Sequence, residues 1–74
     1  MTRLPSVKGA DVVGALKREG FAVQRIKGSH HIMKHSDGRK TVVPVHSGHD
    51  IKRGLLRKII EDAGMSVDDF TALL

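Results

Sequence analysis

The sequence predicts an α+β fold: a two-layer sandwich of a three-stranded antiparallel sheet with helices on one face. Three observations predict it. Apolar residues recur at helical spacing towards both ends of the chain. Between them lie three short strand-like stretches, parted by the turn pairs Gly28-Ser29 and Asp37-Gly38. The chain has 74 residues, 39% of them apolar, which is enough for one small core. A single domain over residues 1–74 is therefore expected, its layers closing on each other.

The first helix is expected from about Lys8 to Glu19. Val12, Val13 and Leu16 supply its apolar stripe, with Ala15 alongside. Ser6 is the candidate N-cap and Gly20 the residue just past the end. Gly9 and Gly14 each weaken such a helix by up to ~1 kcal/mol relative to Ala, so packing must hold it. Strands follow at Phe21–Lys27, His30–His35 and Lys40–His46. Asp37-Gly38 is the strongest hairpin signal in the chain. Pro44 cannot donate to a ladder, so the third strand is an edge, is bulged, or turns that position outward. Ile51, Leu55, Leu56, Ile59 and Ile60 then mark a second helix from about Lys52 to Ala63, closed by Gly64. Ser66-Val67-Asp68-Asp69 resembles a capping box, and opens a short last helix with Phe70, Leu73 and Leu74 as its apolar side. The order α-β-β-β-α, with that short C-terminal helix, is that of the double-stranded-RNA-binding-domain (dsRBD) fold.

Composition narrows the function classes. The chain has no Cys, which excludes a disulfide framework and a Cys-built zinc site and fits a reducing, cytoplasmic compartment. No apolar run approaches the ~20 residues of a membrane span, and the N-terminal stretch MTRLPSVKG lacks the apolar centre of a secretory signal. The formal charge is +5, but it is unevenly spread. Residues 1–58 hold all 13 Lys and Arg, Arg3 included, with four acids, a net of +9. Residues 59–74 hold four acids and no cation, a net of −4. A basic body of this kind points to a polyanion, nucleic acid first. A solvated basic face without a specific partner is the plainer reading. Two Phe and no Trp or Tyr leave no platform for stacking bases, so contact with the phosphate backbone is favoured.

Five histidines, His30, His31, His35, His46 and His49, lie outside the long helices, and four readings of them compete. His46-x-x-His49, with His31 and His35, supplies imidazoles for a metal, but no HExxH or Cys-His pattern accompanies them, and no metal is expected. Histidines at strand ends are often solvated or donate to a carbonyl, the favoured reading for His35 and His49. Gly28-Ser29 with Lys27 suits a phosphate, the backbone approaching closely and the Lys adding charge. Finally, a histidine near neutral pKa can take the 2′-OH proton of RNA, and that oxygen then attacks the adjacent phosphate.

At Lys27-Gly28-Ser29-His30-His31 the sequence resembles the HicA toxin family, the small endoribonuclease half of bacterial and archaeal HicA–HicB toxin–antitoxin pairs. The likeness continues through Asp37-Gly38-Arg39, Thr41-Val42-Val43-Pro44-Val45-His46, the helix with Leu55, Arg57, Ile59 and Ile60, and the ending Ala63-Gly64-Met65-Ser66 with Phe70. The resemblance implies a dsRBD-like fold, ribosome-independent cleavage of mRNA, and silencing by a HicB-like antitoxin. It implies no metal or other cofactor. The family's functional histidine is that of Gly-Ser-His, here His30. Some relatives use the next position, so His31 is the reserve candidate.

Alternation puts His30, Ile32 and Lys34 on one face of the second strand, and His31, Met33 and His35 on the other. Neither face is cleanly apolar. If His30 faces RNA, Met33 is the core contact, and Ile32 is partly exposed or the strand is bulged near Gly28. A one-residue slip exchanges His30 and His31. The leading expectation is a metal-independent endoribonuclease. In it His30 transfers a proton, Gly28 and Ser29 position the phosphate, and Lys27, Lys34, Arg39 and Lys40 hold the RNA backbone. A non-catalytic RNA-binding module and a protein-interaction subunit for an acidic partner are the alternatives.

Overall fold

A computed structural model describes residues 4–74; Arg3 lies outside them. The elements run α1 (Gly9–Glu19), β1 (Phe21–Lys27), β2 (His30–His35), β3 (Lys40–Pro44), α2 (Arg53–Asp62) and α3 (Val67–Ala72). The sheet is antiparallel in the order β1-β2-β3. Helix α1 packs on β1 and β3, and α2 packs on β3 and α3. This is the expected α+β, dsRBD-like arrangement.

Val12, Ala15 and Leu16 of α1 meet Met33, Val43, Leu56, Ile59 and Phe70 in the core. Burying side chains of this size contributes about 1.5–3 kcal/mol each. Helix α3 has only six residues and would not persist alone in water. Buried Phe70 anchors it, and Ser66 caps it by accepting a bond from the Asp69 N–H at 3.0 Å. At its far end the Leu73 carbonyl accepts from Arg18 Nε at 2.6 Å, which ties α3 to α1.

Three features differ from the expected ones, each for a physical reason. Ser6 does not cap α1. Residues before the helix are drawn into extended pairing, with the Ile51 N–H donating to the Val7 carbonyl at 2.8 Å and Lys8 bridging Asp50. The helix therefore starts at Gly9, with Lys8 in the cap position and no side-chain cap bond. Gly9 is there for space: a Cβ would lie 2.1 Å from the Pro44 carbonyl oxygen and 2.9 Å from Val45 Cα. Strand β3 ends at Pro44 rather than at His46, although the Val45 N–H still donates to the Ser29 carbonyl at 2.7 Å. Since Val45 bonds to Ser29 and the His35 N–H donates to the Arg39 carbonyl, the odd-numbered residues of β3 face the β2 ladder. Lys40, Val42 and Pro44 then turn their backbone groups to the open edge. Proline is tolerated because its missing donor falls on that edge.

The third difference sets the site. Of the two alternatives for β2, Ile32 is half-buried and no irregularity lies near Gly28; the bulge lies on β1, between Val23 and Arg25. Before it, Phe21 and Val23 point to the helices. After it the alternation is inverted, so that Ile26 takes the helix side opposite His31, while Arg25 and Lys27 emerge on the other face.

Candidate active site

The registers of both hairpins define which side chains share the open face of the sheet. His30 lies opposite Lys27 on β1 and Pro44 on β3. Ile32 lies opposite Arg25 and Val42, and Lys34 opposite Ala22 and Lys40. Residues directly opposite in antiparallel strands point the same way. The other face is fixed by Met33 and Val43, both 0% exposed. His30, Arg25, Lys27, Lys34 and Lys40 are all exposed. The facing that alternation left open is thereby fixed. His30 faces solvent, whereas His31 points towards the helices between Ile26 and Val43. His31 Nδ1 is buried and has no hydrogen-bond partner.

The turn before His30 has two residues. Gly28 has φ of 62°, the left-handed value at the first central position of a II′ hairpin turn, and glycine is the residue that takes it without strain. A side chain there would meet nothing within 4 Å, so conformation, not space, selects glycine. Ser29 is fixed through its carbonyl by Val45, and its hydroxyl lies 3.3 Å from His46 Nε2. His46 in turn lines a pocket of about 410 Å³ with Pro44, His49, Asp50, Ile51, Lys52 and Leu55. His46, just past β3, is thus tied to the turn that immediately precedes His30.

Arg25, Lys27, Lys34 and Lys40 form the charged part of the open face. Among the described residues none of them pairs with a carboxylate; the ion pairs of the molecule involve Lys8, His35, Arg39 and Lys58. Unpaired cations around an exposed histidine make a site for a polyanion backbone. Arg25 was not among the expected contacts; strict alternation along β1 puts both it and Lys27 on the helix side, and the bulge turns both outward.

Arg39, the other cation expected to hold RNA, stands away from this face in a cluster of internal contacts. Its Nε bonds to both Asp37 carboxylate oxygens, at 2.8 and 3.1 Å. Its Nη1 reaches Glu19 at 3.3 Å and the Ala63 carbonyl at 2.5 Å. The guanidinium carbon sits 5.2 Å from the centre of the Phe21 ring, a cation–π distance. Arg39 therefore clamps the β2–β3 turn to the ends of α1 and α2. The Arg39 backbone N–H donates to Asp37, and this bond, joined by the guanidinium, holds the Asp37 carboxyl below its ordinary 3.8. His35 belongs to the same corner. Its Nε2 donates to the Glu19 carbonyl at 3.2 Å, and its Nδ1 lies 3.1 Å from the Asp37 backbone nitrogen and 3.2 Å from an Asp37 carboxylate oxygen. That is the carbonyl-bonded role expected for it.

No group of three or more His, Cys, Asp or Glu among the described residues is arranged to hold a metal ion. No described helix is long and apolar enough to cross a membrane. The family described as "HicA toxin of bacterial toxin-antitoxin" matches residues 9–65, from the first residue of α1 to just beyond α2. No curated protein matches the chain.

Proposed function

The chain belongs to the HicA toxin family, a family of bacterial toxin–antitoxin toxins, and from that premise we propose that it is a metal-independent endoribonuclease whose proton-transfer residue is His30. The observation that carries the reading is the exposed His30 set in a row of unpaired cations, directly after a glycine-serine turn. RNA crosses the open face with its phosphates near Lys27, Lys34, Lys40 and Arg25. Gly28 and Ser29 hold the scissile phosphate, and Arg39 contributes through the fold. His30 removes the 2′-OH proton, and the 2′-oxygen attacks phosphorus in line. The charge that builds on the phosphoryl oxygens is offset by Lys27, the cross-strand neighbour of His30. One base of this kind supplies about 10²–10⁴-fold, so the enzyme is slow, which suits a toxin held in check until released.

The partner in this reading is a HicB-like antitoxin that covers His30 and presents acidic groups to the same cations, and the pair acts in the cytoplasm. His30→Ala tests the assignment. It is expected to abolish both growth arrest and cleavage of a single-stranded RNA, with an unchanged thermal midpoint because His30 is exposed. Full toxicity of the variant would remove His30 from the mechanism, and intact RNA affinity without cleavage in the wild type would favour a binding module instead.

A further inference from the structure

Cleavage by 2′-oxygen attack needs two proton transfers. A proton leaves the 2′-OH as the 2′-O–P bond forms, and another must reach the 5′-oxygen as the P–O5′ bond breaks. The two oxygens lie on opposite sides of phosphorus in an in-line displacement, and each needs its own partner at about 2.6–3.2 Å. One imidazole cannot serve both in a single step. The endoribonuclease reading, on which this inference rests, therefore leaves a second group to be found.

The geometry points to His46 as that second catalytic residue, donating the proton to the leaving 5′-oxygen. Pro44 lies directly opposite His30 across the ladder, and His46 follows two residues later. The Val45–Ser29 bond at 2.7 Å keeps that segment alongside the turn. Two residues of extended chain span about 7 Å, so the His46 backbone starts about that far along the chain from the partner of His30, within side-chain reach of a phosphate held at the turn. His46 Nε2 is 3.3 Å from the hydroxyl of Ser29, the residue immediately before His30. That bond orients the ring towards the glycine-serine turn and leaves it exposed. On its other side the pocket of about 410 Å³ receives the nucleotide that departs with the 5′-oxygen, and Lys52 at its rim meets the next phosphate.

The balance closes without any further reactant. His30 gains the 2′-OH proton and His46 gives one to O5′. The products are a 2′,3′-cyclic phosphate on one fragment and a free 5′-OH on the other. Solvent then exchanges the protons of the two imidazoles.

The test compares purified wild-type protein, His46→Ala and His30→Ala on two RNA oligonucleotides. One is natural. The other carries sulfur in place of the bridging 5′-oxygen at the cleaved bond, a thiolate leaving group that departs without a proton. His46→Ala is expected to lose about 10²–10⁴-fold on the natural RNA and to recover near wild-type rate on the sulfur-bridged RNA. His30→Ala stays slow on both. The alkaline limb of the wild-type bell-shaped profile of kcat/KM against pH should vanish in His46→Ala, because a required acid no longer titrates. An equal loss on both substrates would make His46 a merely structural residue, and no loss on either would remove it from the site; both overturn this assignment while leaving His30 in place. His46→Gln, which can still bond Ser29, should be as slow as His46→Ala on the natural RNA; full activity would also overturn the assignment. If the wild type cleaves neither oligonucleotide, the endoribonuclease reading falls first and this assignment with it.

Discussion

His30 and His31 are adjacent in the chain and opposite in the structure, and the difference between them is register. A histidine opposite Lys27 and Pro44 reaches solvent; one opposite Ile26 and Val43 is turned to the helices with a buried, unpartnered Nδ1. Leaving a buried polar atom unsatisfied costs about 1–3 kcal/mol, while an apolar side chain of similar size has nothing to satisfy. His31→Leu is therefore expected to hold or raise the thermal midpoint and to leave RNA cleavage within about threefold. Loss of cleavage in a folded His31→Leu would return catalysis to the reserve candidate. The Gly-Ser-His motif was legible from residue type, but alternation made Met33 the core contact only on the condition that His30 faces outward. The facing of Lys27, Ile26 and Arg25 was not legible. It turns on one extra residue in β1, and nothing about Gln24 itself announces a bulge. The clamp around Arg39 was not legible for a related reason: its carboxylate, its carbonyl and its aromatic ring come from three other elements.

Helix α1 shows how one residue type serves opposite ends at the level of an element. Gly9 and Gly14 carry the same propensity cost on paper. Gly9, however, touches backbone at Pro44 and Val45, whereas a Cβ at Gly14 would meet only the flexible tip of Arg18, at 3.7 Å. Gly14→Ala is expected to stabilise by up to about 1 kcal/mol. Gly9→Ala is expected to destabilise by about 1–3 kcal/mol, because backbone must shift to admit a methyl group. Urea midpoints of the two variants moving in the same direction would contradict this account. The β2–β3 turn is the other element whose stability can be isolated. Removing the Arg39 side chain should cost about 2 kcal/mol, or roughly 10 °C of melting temperature in a chain of this size, with the RNA affinity of the folded fraction unchanged. A lost affinity at full stability would mean that Arg39 contacts RNA after all. Asp37 in the same turn has its carboxyl held below 3.8 by the Arg39 N–H and guanidinium. A depressed folded value means that the carboxylate favours the native state above the unfolded value, and that this contribution is lost as pH falls through the folded one. Thermal midpoints of wild type and Asp37→Asn should differ by a constant amount above about pH 5 and converge towards pH 2. A gap that persists at pH 2 would show that shape, not charge, is responsible.

At the scale of the whole molecule the relevant quantity is where the +9 of residues 1–58 is spent. Lys8 faces Asp50, Lys58 faces Asp62, Arg18 bonds a carbonyl and Arg39 is enclosed in its clamp. Among the described residues Lys17, Lys52, Arg53 and Arg57 have no carboxylate partner but lie on or beside the helices, whereas Arg25, Lys27, Lys34 and Lys40, also without one, share one exposed face of the sheet. Four phosphates neutralised on single-stranded RNA predict a slope of about −3 for log K against log salt concentration. Each cation removed from that face should make the slope shallower by about 0.7, whichever RNA sequence is bound, because no aromatic platform reads the bases. Lys34→Gln and Lys58→Gln separate the open face from the general charge of the protein. Both lower the net charge by one, yet only Lys34 lies on the sheet, two residues from Ile32 and opposite Lys40. Binding measured with an inactive His30→Ala background across a salt series should show the shallower slope for Lys34→Gln alone. Equal slopes for the two variants would mean that RNA samples the whole positive surface and that the row of cations beside His30 is not its path.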